Sequence, residues 1–267
     1  MKLKLILKCS LAVLSLLIWT VPSYATDNKT IGVVVMHGKW DSPNGHIAGF
    51  ANSLEKEGFV VVRPEMPWSG RRSYDAGVDG MVKDIDAAIV KLREQGANKI
   101  FVAGHSFGTA GALRYITQTK VNGMIALAPG HAPEGRGFAA KTADSIKKAK
   151  EMSQSGQADE KGWFADINTG SRSKSLQMTA RIYLDYFDPE GPMNFRNNAA
   201  TIRTDVPVLW IAGINEEESL KNVSKAALAS MPKTTPPMVV EVPGGHMDTP
   251  DQASAIAITW IKELADK

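Results

Sequence analysis

Residues 99–116 read KIFVAGHSFGTAGALRYI. Lys99 to Ala103 is a short apolar run with β-branched residues, which suits a strand buried on both faces. From Phe107 to about Thr119 the pattern becomes helical. Between the two lies Gly104-His105-Ser106-Phe107-Gly108. A G-x-S-x-G pentapeptide joining a strand to a helix lifts its serine onto a sharp turn above the sheet edge. The glycines stand where neighbouring backbone crowds that turn. A serine hydroxyl is a weak nucleophile until a base takes its proton, so the rest of the chain is read for that base and for what orients it.

Outward from this stretch, strands alternate with helices. Ile31–Met36 and Phe59–Arg63 read as strands before it, with a helix between them. That helix is expected to start at Ser42-Pro43, as N-cap and first helical residue, and to bury Ile47, Phe50, Ala51 and Leu54. Val82, Ile85, Ile89 and Leu92 mark a second amphipathic helix. After the pentapeptide come strands at Val121–Leu127, Val206–Ala212 and Met238–Val242. A helix is expected at 216–231, and a last helix has Thr249 as N-cap and Pro250 at its first position. This rhythm predicts an α/β domain, a mostly parallel sheet with helices on both faces. Residues 131–203 interrupt it without a convincing strand. Leu176, Ala180, Tyr183 and Phe187 mark one helix face there, and the Lys-rich stretch 141–151 another. The interruption reads as a helical cap inserted at about 131–203 in a single domain spanning 26–267.

The first 25 residues stand apart. Lys2, Lys4 and Lys8 precede the apolar run Leu11–Trp19, then Pro22 and the small residues of Ser23-Tyr24-Ala25. That order predicts a signal peptide cleaved after Ala25, an exported protein that is periplasmic or secreted, and no stable membrane span afterwards. Cys9 is the sole cysteine, so the exported chain is expected to use no disulfide and no thiol. The formal charge of +3 comes from 31 basic and 28 acidic residues. Loss of the three signal lysines would balance them, which removes the electrostatic case for binding nucleic acid. The sequence holds no HExxH, no cysteine ligand set and no GxxxxGK loop, so neither a metal nor another cofactor is expected.

GHSFG, with His37-Gly38 after the first strand and Gly244-Gly245-His246 after the last, resembles the α/β-hydrolase superfamily over Ile31–Lys267, and within it small exported esterase-like hydrolases. The resemblance implies the chain order serine, acid, histidine. Of histidines 37, 46, 105, 131 and 246, only His246 lies late enough to be the base of Ser106. The acid would stand three residues past Gly213, at Glu216, where the family usually has Asp. Glu217, Glu218, Asp248 and Glu134 are the alternatives, and Asp205 lies at the wrong end of its strand. The oxyanion hole would be the backbone N–H groups of Lys39 and Phe107. His37 would brace its loop, and His105 would point away from the site. Trp40 and Trp68 are candidate substrate-binding walls, and Arg71 and Arg72 would greet a carboxylate if they faced the site. The implied activity is a serine hydrolase that cleaves a carboxylic ester, thioester or amide of a small molecule through an acyl-enzyme. The alternatives are an acyltransferase on the same triad and a non-catalytic binding protein.

Overall fold

The computed structural model describes residues 30–267, so the expected signal peptide lies outside the described residues. Six strands form one parallel sheet: β1 (Ile31–Met36), β2 (Val60–Val62), β3 (Lys99–Ser106), β4 (Gly123–Pro129), β7 (Val208–Gly213) and β8 (Met238–Val242). Their spatial order is β2-β1-β3-β4-β7-β8. The chain winds outward from β1 to β2, then returns to β1's other side with β3. The reversal places a crevice beyond the carboxyl ends of β1 and β3, where a doubly wound sheet receives its ligands.

The sheet buries both faces because its strands are apolar throughout. Ile31, Val33 and Val35 point to one face, against α1 (Ala48–Lys56) and α9 (Ser254–Ala265). Val34 and Met36 point to the other, against α2 (Val78–Glu94), α3 (Phe107–Ile116) and the cap. The helix α7 (Glu218–Ser230) lies between β7 and β8 in the chain.

Two helix starts differ from expectation. Residues 43–47 form turns, and α1 begins at Ala48. Asp41 accepts the His46 N–H there and holds the chain in a loop before the helix. The last helix is split: α8 (Thr249–Gln252) has Asp248 as its N-cap residue, and α9 follows after Ala253.

The cap differs more. It has the helices α4 (Arg136–Gln154), α5 (Ala180–Phe187) and α6 (Phe195–Ala200), but also an antiparallel hairpin of β5 (Lys161–Ile167) and β6 (Ser173–Thr179). The expectation of a cap without strands is therefore corrected, and Leu176 belongs to β6 rather than to the face of α5. The hairpin buries only one side. Gly162, Phe164 and Asp166 face inward and alternate with more exposed residues, and an aspartate on the inner face hides the period-two pattern. Trp163 is turned outward, whereas Phe164, Tyr183 and Phe187 stack within the cap's own core.

Candidate active site

Ser106 ends β3 with φ 54° and ψ −115°, a conformation that costs a non-glycine residue about 1–3 kcal/mol. The flanking glycines make the turn possible. A methyl at Gly104 would overlap the Gly108 carbonyl, and one at Gly108 would sit 2.5 Å from the Met36 carbonyl oxygen. The strain lifts the hydroxyl into the crevice at the start of α3.

His246 arrives from the loop after β8. Its Nδ1 lies 2.8 Å from Glu216 Oε2, and both side chains are buried. Glu216 Oε1 accepts the Glu217 N–H at 2.9 Å, so both carboxylate oxygens are engaged and the ring is fixed. Nδ1 carries the proton in this pairing, which leaves the Nε2 lone pair unspent. Nε2 is buried without a hydrogen-bond partner among the described residues. A methyl placed on Gly130 would lie 3.0 Å from Ser106 Oγ and 3.7 Å from His246 Cε1, so hydroxyl and ring edge share one small space. They form no hydrogen bond in this conformation; such bonds often tighten only around substrate.

The other candidate acids have different work. Glu134 accepts the backbone N–H groups of Phe195 and Arg196 at the start of α6. Asp248 accepts the Gly245 N–H and shapes the turn that carries His246. Glu217 accepts the Gly170 N–H at the hairpin tip, and Glu218 opens α7. Asp205 is held near pH 2 by Arg203 and Lys120.

The Lys39 and Phe107 backbone N–H groups have no acceptor among the described residues. Phe107 is the first residue of α3, where helix geometry leaves the N–H free. The Lys39 loop is braced as expected of His37: its Nε2 accepts the Met66 N–H, so Nδ1–H donates to the Gly38 carbonyl.

Two expectations are corrected here. Trp68 is fully buried rather than part of a substrate wall; it stacks on Phe107 and donates its indole N–H to the His37 carbonyl. Nearness of the 64–77 loop in sequence gave no indication of which way this ring turns. Arg71 and Arg72 pair with Glu65, Asp75 and Asp84 and are spent on their own loop and on α2. Trp40 does line the site.

The sequence reading missed Asp166. It is fully buried on β5, and its oxygens accept from Lys39 Nζ at 2.6 Å, Trp40 Nε1 at 2.7 Å and the Tyr74 hydroxyl at 2.7 Å. Lys39 Nζ also donates to the Ile167 carbonyl and lies over the Phe138 and Phe187 rings. Burial lowers the Lys39 pKa, with Asp166 opposing the shift. The inserted hairpin thus anchors the two residues that follow Gly38. Asp166→Asn keeps a polar acceptor but leaves the buried ammonium without a counter-charge. The variant is expected to lose roughly 3–5 kcal/mol of stability, read as a lower urea midpoint at pH 7; a loss below 1 kcal/mol would show that the pair is dispensable.

His105 was also misread. It lines the site, and its Nε2–H donates to the His246 carbonyl at 3.0 Å, which steadies the His246 loop. Burial, and then the charge of His246, lowers its pKa to about 3. Burial lowers His37 and His131 as well. Unfolded, all three take up protons near pH 6.5; folded, they do so only at lower pH. Their contribution to stability is therefore complete above pH 6.5 and is lost as pH falls toward the folded values. Unfolding free energy is expected to drop below pH 6, by about 1 kcal/mol per pH unit for each of His105 and His131, whose folded values lie far below that range. Urea titrations at pH 7, 6 and 5 check this, and a flat profile would contradict it.

Two clefts meet at Ser106. One, of about 700 Å³, runs under α4 and α7; the other, of about 680 Å³, contains His246 and the loop after β1. Asn168 and Thr169 at the hairpin tip border both. Among the described residues there is no metal-binding cluster of His, Cys, Asp and Glu, and no helix is long and apolar enough to cross a membrane.

The sequence model described as the alpha/beta hydrolase family matches residues 33–257. Cutinase est2 of Thermobifida alba is 28% identical over 115 residues, 40% of this chain and 38% of that protein, so the match spans well under half of that relative's length. Among solved structures, the monoacylglycerol lipase of Paleococcus ferrophilus superposes with a TM-score of 0.61 at 19% identity, covering 87% of this chain and 94% of the other. A structure from work on LipS and LipT, two metagenome-derived lipolytic enzymes, gives 0.60 at 15% identity, covering 88% and 94%. At such identities the structural likeness is one of fold.

Proposed function

Because the chain belongs to the alpha/beta hydrolase family, we propose that it is a serine hydrolase that cleaves a carboxylic ester of a small molecule. The observation that carries this reading is the Glu216–His246 pair beside the strained Ser106, with the Nε2 lone pair left over. The partial sequence likeness to a cutinase supports an ester rather than an amide.

Ser106 Oγ bonds to the substrate carbonyl carbon as its proton passes to His246 Nε2. Glu216 stabilises the resulting imidazolium. Negative charge gathers on the carbonyl oxygen and is met by the Lys39 and Phe107 N–H groups, each such donor being worth about a hundredfold or more in rate. The bond to the alkoxy oxygen then breaks, and that oxygen takes the proton from Nε2. Water repeats the sequence on the acyl-enzyme, with His246 accepting its proton and returning it to Ser106. The reading includes export, with residues 1–25 removed as a signal peptide; N-terminal sequencing of the protein recovered outside the cytoplasm tests that part.

A fluorophosphonate probe tests the chemistry. The folded protein is expected to label once, at Ser106, and to release p-nitrophenol from short-chain esters. A folded protein that does neither belongs with non-catalytic binding proteins. Faster release in the presence of an alcohol acceptor would favour acyl transfer.

A further inference from the structure

We infer that the two clefts divide the substrate by polarity: an apolar acyl group lies in the cleft under α7, and a compact polar alcohol lies in the cleft that holds His246. This deepens the proposed function and rests on Ser106 as nucleophile and His246 as base.

Chemistry fixes the assignment. In the tetrahedral intermediate the carbonyl carbon bears four groups. One is Ser106 Oγ, and one is the oxyanion at the Lys39 and Phe107 N–H groups. The remaining two are the acyl chain and the alkoxy oxygen. The alkoxy oxygen receives the proton held on His246 Nε2 as its bond to carbon breaks, so it must lie on the His246 side. His246 borders the second cleft and not the first. The alcohol is therefore in the second cleft, and the acyl chain continues into the first.

The linings differ in kind. Around the first cleft stand Phe107, Phe138, Ile167, Leu220, Val223 and Ala226, with Ser219 and Asn222 as the polar residues that α7 adds. Its cations Arg136, Lys141 and Arg196 are exposed to solvent, and Lys39 is paired with Asp166; the carboxylates of Glu134 and Glu217 are spent on the start of α6 and on the Gly170 N–H. Apolar surface brought against these side chains leaves water favourably. Around the second cleft stand Asp41, His46, Arg172, Ser173 and Lys174, with the Trp40 ring as one wall. Lys174 Nζ lies 4.3 Å from the centroid of that ring. Among the described residues neither Arg172 nor Lys174 has a carboxylate partner, so both can donate to an alcohol bearing further oxygens. Asn168 and Thr169 stand between the two, held by Asn168 Nδ2 donating to the Lys39 carbonyl and by the Gly170 N–H donating to Glu217. The inserted hairpin is thus the divider that keeps the two ends of the ester apart.

Two isomeric esters test the division, because they carry the same atoms with polarity exchanged across the ester bond. 2-Hydroxyethyl octanoate places the apolar chain on the acyl side; octyl glycolate places it on the alcohol side. The first is expected to show at least a tenfold higher kcat/KM, although the glycolyl carbonyl is the more electrophilic of the two. Val223→Trp, which fills the first cleft, is expected to lower the ratio of octanoate to acetate turnover for the 2-hydroxyethyl esters by at least tenfold. Equal rates for the isomers, or a preference for octyl glycolate, overturn the division. So does a protein that labels with fluorophosphonate at Ser106 yet cleaves neither isomer, and in that case the nucleophile stands. Absence of both labelling and turnover removes the hydrolase reading itself. If Val223→Trp fails to fold, the isomer pair alone decides.

Discussion

Ser106→Ala is expected to lower kcat for p-nitrophenyl esters by on the order of a millionfold, the scale on which a nucleophile fails when it acts as a unit with its base. The fold should survive. Among the described residues no hydrogen bond uses the Ser106 hydroxyl, and alanine meets the same backbone strain at φ 54°. The variant separates what the hydroxyl does from what the surrounding site does. With the nucleophile gone, the clefts and the Lys39 and Phe107 N–H groups persist, so substrate should still bind while no acyl-enzyme forms. Fluorophosphonate labelling should vanish, and competition by a non-hydrolysable ester analogue should be retained. A variant that keeps more than about a hundredth of the activity would show that another group makes the attack, and labelling at a second serine would say which.

The parts of this site legible in the sequence are those tied to regular backbone. Ser106 announces itself because a turn that tight admits only glycines at 104 and 108. Glu216 and His246 are the positions that the α/β-hydrolase resemblance implies at the ends of the last two strands, and the structure sets them 2.8 Å apart. Long-range side-chain pairings left no such trace. Asp166 lies 127 residues from Lys39, within a hairpin whose inward positions include a charge, so neither the strand nor the partner had a local signature. Lys39 was legible only through its backbone, although its buried ammonium joins the hairpin to the loop after β1. Trp68 and the arginines of the 64–77 loop were misjudged for a related reason. An aromatic or cationic residue in a loop has a composition but no direction until packing decides which way it turns.

Glu216→Gln is expected to cost roughly ten-thousandfold in kcat through a change of tautomer. The substitution preserves shape, and the surrounding hydrogen bonds dictate which way the new amide faces. Glu216 Oε1 accepts the Glu217 N–H, and only the amide oxygen of glutamine can keep that bond. The amide NH₂ must then occupy the place of Oε2, 2.8 Å from His246 Nδ1 in the native pair. An NH₂ group donates, so Nδ1 must present its lone pair and the ring proton moves to Nε2. The nitrogen that should take the Ser106 proton already holds one. Substrate binding is untouched by this exchange, so KM should change little while kcat collapses, and thermal unfolding should shift only slightly. Glu218→Gln provides the contrast: Glu218 opens α7, borders neither cleft and does not touch the ring, so the variant should stay close to the parent. Glu216→Asp restores the charge from one methylene further back and should recover part of the loss. If Glu216→Gln retains a tenth or more of kcat, the acid of the triad is a different residue, and Asp248, which shapes the same loop, is the next to replace.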